Sequence, residues 1–185
     1  MIADIDEEMY RKIVENRSVK DKDAKDTAKI VGLSAIKYGD LSNQATKDYI
    51  FDVDRFTSFE GNTGPYILYT IVRIKSILNR YVQEGGDLST GKILPAVNAS
   101  EKNLMLQLSG FAAMVENAFE EKAPHKICAY IYEVSNAFNS FYHETKILSE
   151  EDQAQKESFL QLLQLTRRVL ETSIDLLGFS APDRM

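Results

Sequence analysis

The sequence predicts an all-α protein, and three observations support that fold class. Apolar residues recur at helical spacing through most of the 185 positions. Capping residues, prolines and glycines stand where those stretches begin and end. The composition, 44% hydrophobic and 27% charged, is that of a globular chain that buries a core without disulfides or metal.

The first 60 residues predict two helices. An amphipathic stretch runs from Asp6 to Val14, and a second helix is expected over residues 21–38. Small side chains on one face of the second helix indicate close helix packing: Ala24, Ala28, Val31 and Ala35. The aromatic segment 46–54 is compatible with extended backbone, so its conformation stays open.

A third helix is expected from Pro65 to about Tyr81. Thr63 or Gly64 can cap it, and proline fits the first helical position because its missing N–H has no partner there. Residues 84–95 contain two adjacent glycines and a proline, which indicates an irregular linker.

Three long helices are expected to complete the chain. Asn98 and Glu101 have the spacing of a capping box, and Pro124 begins the next helix. Ser149 or Asp152 can cap the last helix, which Gly178 ends. The apolar stripe of the first of these helices is Leu104, Leu108, Phe111, Val115 and Phe119.

The helix after Pro65 carries two distinct stripes. The core stripe is Ile67, Ile71, Ile74, Leu78 and Tyr81, and a second stripe on another side is Tyr66, Tyr69, Arg73 and Arg80. Tyrosine rings and guanidinium groups on one face can stack bases and contact phosphates. The same pattern also fits a second packing face. Tyr142 raises the same two alternatives, and His143 can either contribute to such a stacking face or be an exposed helix-end histidine.

Charge and chemistry exclude several classes of protein. The net charge of −6 disfavours nucleic-acid binding through overall charge, so any RNA contact requires a local patch. Neither His125 nor His143 has a partner at metal-ligand spacing, and we expect no metal site and no catalytic residue. Cys128 lies among apolar helical positions and is expected to be a buried core thiol.

The start of the sequence and its hydropathy indicate a cytoplasmic protein. The first residues are acidic where a signal peptide would be basic, and no stretch has the length and apolar character of a membrane span. We therefore expect no membrane partner, and we expect a monomer.

Four ordered blocks carry a resemblance to a known family. They are residues 31–42 (VGLSAIKYGDLS), 49–55 (YIFDVDR), 59–69 (FEGNTGPYILY, with Arg73 following) and 176–185 (LLGFSAPDRM). Together they resemble the C-terminal part of arginyl-tRNA synthetases, class I enzymes with a Rossmann catalytic domain followed by a helical, DALR-type anticodon-binding domain. Neither the HIGH nor the KMSKS-type signature of the catalytic domain occurs in the sequence.

The resemblance implies a domain division and a set of site residues. Residues 1–60 would be a connecting region and residues 61–185 a helical anticodon-binding bundle. Tyr66, Tyr69 and Arg73 would face the anticodon stem and loop, and Tyr142 and Met185 would pack around unstacked anticodon bases. Where the family commonly has glutamine, this chain has Leu68.

The resemblance also implies partners and a reaction. The partners would be tRNA(Arg) and the catalytic domain of the same polypeptide. That domain would use ATP with Mg to join L-arginine to tRNA(Arg), releasing AMP and pyrophosphate; the 185 residues themselves would bind no cofactor and be inactive alone. The alternatives are the anticodon domain of another class I synthetase, such as the cysteinyl or methionyl enzyme, and a helical protein–protein interaction module.

Overall fold

A computed structural model describes residues 2–15 and 21–185, and it is helical with no strand in those residues. The predicted all-α class is therefore confirmed. Met1 and residues 16–20 lie outside the described residues. The helices are α1 (Ile2–Glu15), α2 (Asp21–Leu41), α3 (Val53–Phe56), α4 (Gly64–Gln83), α5 (Ala99–Ser109), α6 (Phe111–Glu120), α7 (Pro124–Glu144) and α8 (Gln153–Leu176).

Helices α1 and α2 pack against each other through small residues. The predicted face of α2 is buried: Ala24, Ala28, Val31 and Ala35. A Cβ atom at Gly32 would lie 2.6 Å from Oδ1 of Asp6 in α1, so the absence of a side chain permits this approach. The aromatic segment after α2 is not a strand; it is irregular until α3, whose N-cap is Asp52.

The loop before α4 joins three helices. Thr63 caps α4 by accepting a hydrogen bond from the N–H of Tyr66 at 3.2 Å. The Tyr38 hydroxyl of α2 lies 2.5 Å from Oδ1 of Asn62 and 2.8 Å from the Cys128 carbonyl oxygen of α7. Because Tyr38 is fully buried, these partners satisfy its polar atom where water cannot reach it.

The expected single helix after Asn98 is wrong, because the chain bends at Gly110 and forms α5 and α6. Glycine has a low helix propensity, and its N–H here turns back to the Gln107 carbonyl oxygen at 3.2 Å. Leu104 and Leu108 are buried as predicted, but Phe119 is 83% exposed. The apolar spacing continues across the bend, so periodicity alone did not detect it. Four helices, not three, complete the chain.

Side chains of α8 hold the linker between α4 and α5. Gln161 donates to the carbonyl oxygens of Leu88 and Thr90 at 3.0 and 2.6 Å.

At the start of α5, Asn98 accepts a hydrogen bond from the N–H of Glu101, as predicted. The Glu101 carboxylate, however, accepts from the N–H of Val97 at 2.8 Å. The return bond therefore differs by one residue from a capping box, in which it would go to Asn98.

Helix α8 has the predicted signals at both ends. Of the two candidate caps, Asp152 accepts from the N–H of Gln155 at 2.9 Å. At the other end Gly178 has φ of +79°, and the N–H of Phe179 bonds back to the Ile174 carbonyl oxygen at 3.1 Å. This Schellman arrangement turns the chain back towards α4.

Among the helices of the described part of the chain, none combines the length and hydropathy needed to cross a membrane.

Candidate nucleic-acid interface

The tyrosine–arginine stripe of α4 lies beside a polar face of α7. Tyr66 and Arg73 are half-buried, whereas 41% of Tyr69 is exposed. The partners on α7 are Asn136 and Asn139, both half-buried. The core stripe of α4 points the other way, and Ile67, Ile71 and Ile74 are fully buried. The two predicted stripes are thus separate surfaces of one helix.

One asparagine links the two key residues of the stripe. Asn139 donates through Nδ2 to the Tyr66 hydroxyl at 2.8 Å and accepts from Nη1 of Arg73 at 2.8 Å. The Tyr66 hydroxyl in turn donates to Oδ1 of Asn136 at 2.8 Å. Burial raises the pKa of Tyr66, so its hydroxyl stays protonated and available as a donor.

Arg73 lies close to two aromatic rings from different helices. Its guanidinium carbon is 4.7 Å from the centre of the Tyr69 ring and 5.2 Å from that of Tyr142. Both distances are in the range of cation–π attraction. The Tyr142 ring also stacks on Phe138, with centroids 6.0 Å apart and planes at 25°. Packing therefore fixes the orientation of both the cation and the Tyr142 ring.

A groove opens beside this cluster, between α4 and residues 145–149. It has a volume of ≈ 500 Å³ and includes three cationic side chains, Arg73, Arg80 and Lys146, together with His143. None of its lining residues in the described part of the chain is acidic. The groove is therefore locally basic on a chain whose net charge is −6. We call it the basic groove.

A second groove, of ≈ 300 Å³, adjoins the basic groove. Ser76 and Arg80 line both grooves and lie between them. Arg184 and Met185 line this second groove, so Tyr142 and Met185 lie in neighbouring grooves and not in a common one. Arg80 separates them, and its Nε donates to Oε1 of Glu84 at 2.9 Å. Leu68 is fully buried, so its side chain faces neither groove.

Three residues of this region were not predicted from the sequence: Asn136, Asn139 and Lys146. A signal for the asparagines was present, because they follow Tyr132 at intervals of four and three and lead to Tyr142 on one helical face. Lys146 follows the end of α7, where helical periodicity gives no direction.

The described residues show no sign of metal or thiol chemistry. No group of three or more His, Cys, Asp or Glu in the described residues is arranged to hold a metal ion. Cys128 is fully buried, as predicted, and burial raises the pKa of its thiol to about 12. A neutral thiol without access to solvent is a core side chain.

Comparison with known proteins gives a family match. The protein-family model described as the DALR anticodon binding domain matches residues 67–185 of this chain. This range covers α4 almost entirely and all of α5 to α8. It therefore includes both sides of the basic groove and the segment that carries Met185.

Curated relatives align along the whole chain. An arginine–tRNA ligase of Agathobacter rectalis is 64% identical over 100% of this chain and 32% of its own length. One of Alkaliphilus oremlandii is 51% identical over 100% of this chain and 31% of its own length. The chain thus spans about a third of the length of these relatives.

Solved structures share the fold. The Thermus thermophilus arginyl-tRNA synthetase superposes with a TM-score of 0.89 and 28% identity, over 100% of this chain and 31% of that one. The Plasmodium falciparum enzyme gives a TM-score of 0.83 and 26% identity, with coverages of 100% and 33%.

Proposed function

The chain belongs to the DALR anticodon-binding domain family, and on this premise we propose that it binds the anticodon arm of tRNA(Arg) as one part of an arginine–tRNA ligase. The names of the curated relatives support the choice of tRNA. The expected division into residues 1–60 and 61–185 and the roles of the individual site residues belong to the same proposal.

One structural observation carries the proposal: Arg73 is held against two tyrosine rings at the edge of a basic groove without acidic lining residues. Proteins recognise RNA sequence mainly in unpaired loops, whose bases stack on aromatic rings or guanidinium planes. Such stacking contributes about 1–3 kcal/mol per base. Asn139 fixes Arg73 in advance, so less conformational entropy is lost on binding.

The remaining cations of the basic groove suit the phosphate backbone. Arg80 and Lys146 lie along the same groove, and with Arg73 they make three positive charges when RNA phosphate replaces Glu84 as the partner of Arg80. For a single strand, neutralising three phosphates gives a slope of about −2 in a plot of log affinity against log salt concentration. The acidic remainder of the chain repels RNA at longer range, so we expect weak binding by the chain alone.

Anticodon binding would serve a reaction that takes place elsewhere in a longer protein. The relatives are named arginine–tRNA ligase, and about two thirds of their length lies outside the alignment with this chain. We propose that those regions join arginine to tRNA(Arg) with ATP and Mg. The residues of the basic groove would orient the tRNA without taking part in bond formation.

The test is a comparison of two fluorescent RNA hairpins that share a stem. One carries the anticodon loop of tRNA(Arg), and the other an unrelated loop. We expect the chain to bind the first more tightly and in a salt-sensitive manner. Equal affinity for both hairpins at moderate salt would contradict the proposal.

A charge-matched pair of variants locates the site. Lys146→Gln removes a cation of the basic groove, whereas Lys25→Gln removes an exposed cation at the beginning of α2. Only the first should weaken binding and reduce the salt slope, by about 0.7. An equal effect of both variants would indicate an influence of overall charge instead of a site.

A further inference from the structure

Lys75 of α4 has an ammonium group that is surrounded by oxygens from two other segments. Only 15% of its side chain is exposed. Its Nζ lies 3.2 Å from Oε1 of Glu171 in α8, 3.3 Å from the Pro182 carbonyl oxygen and 3.6 Å from Oδ1 of Asp183. One cation thus joins α4, α8 and the segment after α8, residues 178–185, which we call the α8 extension.

The two halves of the α8 extension are held differently. In the first half, Phe179 and Pro182 are buried, and Nζ of Lys37 donates to the Gly178 carbonyl oxygen at 2.5 Å. In the second half, Asp183 and Arg184 are exposed, and Met185 packs partly against the core. Among the described residues, Lys75 contacts the junction of the two halves: it bonds to the carbonyl oxygen of Pro182, where the first half ends, and pairs with the carboxylate of Asp183, where the second begins.

From this arrangement we propose that Lys75 is a positioning residue for RNA binding, which acts by holding Arg184 and Met185 against α4. The inference rests on the proposed function. The groove lined by Arg184 and Met185 exists only when the α8 extension lies along α4, and it shares Ser76 and Arg80 with the basic groove. Lys75 thereby controls whether the second groove continues the first.

The partners of Lys75 differ in what they lose when it is removed. Glu171 retains a second cation, because its Oε2 lies 3.4 Å from Nε of Arg167. The Pro182 carbonyl and the Asp183 carboxylate are the partners of Lys75 in the α8 extension. The carboxylate of Asp183 is 99% exposed, so that pair alone contributes little, and the half-buried bond to Pro182 is the stronger restraint. Loss of Lys75 therefore releases the α8 extension more than it disturbs α8.

The variant Lys75→Met tests the proposal because methionine keeps most of the unbranched side chain and removes the ammonium group with its charge. Its first readout is the NMR signal of the ¹³C-labelled Met185 methyl group, which the further change Met185→Leu identifies among the five methionines of the chain and the sixth that the variant adds. We expect the signal to narrow and to move to the position of an unstructured methionine. An unchanged Met185 signal in the folded variant, with folding checked by circular dichroism, would overturn the proposal.

The second readout is the affinity for the hairpin with the anticodon loop of tRNA(Arg). Lys75→Met and a deletion of residues 183–185 should each weaken binding by about five-fold, which corresponds to about 1 kcal/mol. A protein with both changes should bind the hairpin as tightly as a protein with either change alone, because both changes act through the same segment. Additive losses would overturn the proposal.

A charge-matched control and a separate outcome complete the test. Lys25→Met removes an exposed cation of α2 and should leave both readouts unchanged. If the unaltered chain does not distinguish the two hairpins, the proposed function fails. In that case the Met185 signal of Lys75→Met would still show whether Lys75 holds the α8 extension in place.

Discussion

The guanidinium carbon of Arg73 lies 5.2 Å from the centre of the Tyr142 ring, a contact that joins the middle of α4 to the last turns of α7. Arg73 also bonds to Asn139, one turn before Tyr142 on α7. A cation and an aromatic ring are therefore positioned together before any ligand arrives.

Tyr142→Ala should reduce RNA affinity without unfolding the chain. Tyr142 is half-buried and stacks on Phe138, whose ring is fully buried and stays in place. Loss of one stacking ring should weaken binding by about 1–3 kcal/mol. Binding is measured with the tRNA(Arg) hairpin and folding by circular dichroism.

Tyr142→Phe is the matched control because it keeps the ring and removes only the hydroxyl. We expect its affinity to remain close to that of the unaltered chain. Loss of the helical signal in Tyr142→Ala would show that the ring is needed for packing, which is the alternative interpretation of the stripe.

Asn139→Ala should weaken RNA binding more than Asn136→Ala does. Both asparagines bond to the Tyr66 hydroxyl, but only Asn139 also bonds to Arg73. Asn136→Ala should reduce the free energy of unfolding by about 1 kcal/mol, and Asn139→Ala by about 2 kcal/mol, because Asn139 loses two hydrogen bonds, one of them from the charged Arg73. Denaturant titrations and hairpin binding measure the two effects, and equal losses of affinity would contradict the role assigned to Asn139.

Gly64→Ala should strongly destabilise the fold. A Cβ atom at Gly64 would lie 2.3 Å from the backbone oxygen of Ser34 in α2, and backbone cannot move aside as a flexible side chain can. We expect a loss of about 3 kcal/mol in the free energy of unfolding, measured by urea denaturation. Gly110→Ala is the control, since its nearest added contact is 3.5 Å and its φ is −80°. A small effect of Gly64→Ala would mean that α2 and α4 can separate at little cost.

Stability should fall in alkaline solution because buried acids keep their protons in the folded state. Burial raises the pKa of the Cys128 thiol and of the Tyr130 hydroxyl, each to about 12, and raises that of Tyr38 as well. In the unfolded chain these groups lose protons from about pH 8.5 to 10. The unfolded state then binds fewer protons, so the free energy of unfolding decreases as pH rises through this window and on towards about 12.

Cys128→Ala separates the thiol from the tyrosines. Each fully shifted group contributes a slope of about 1.4 kcal/mol per pH unit. Urea titrations at about pH 9 and pH 11 should show a decrease that is about 2 kcal/mol smaller in the variant. The same decrease in both proteins would show that the thiol does not titrate differently on unfolding.

The family motif around Gly64 illustrates how sequence and structure divide the information. The block of residues 59–69 carried much of the resemblance, yet three successive residues in it, Asn62, Thr63 and Gly64, have structural tasks. Asn62 bonds to Tyr38, Thr63 caps α4, and Gly64 allows the close approach of α2. Within that block, the tyrosines are the residues that reach the candidate interface.

The features that could be predicted from the sequence lie within single helices. Apolar periodicity and capping residues predicted the buried face of α4, a cap at Thr63 or Gly64, the end at Gly178 and the alignment of Tyr66 with Arg73. These features depend on neighbours three or four positions away, so local sequence suffices to predict them.

Contacts between residues of different helices could not be predicted from the sequence. Four features depend on how separate segments pack. They are the bond between Asn139 and Arg73, the bend at Gly110, the exposure of Phe119 and the contacts of Lys75 with the α8 extension. Periodicity gives the direction of a side chain around its own helix. It does not give the crossing angle or register of a neighbouring helix, which determine the distance between Arg73 and Tyr142.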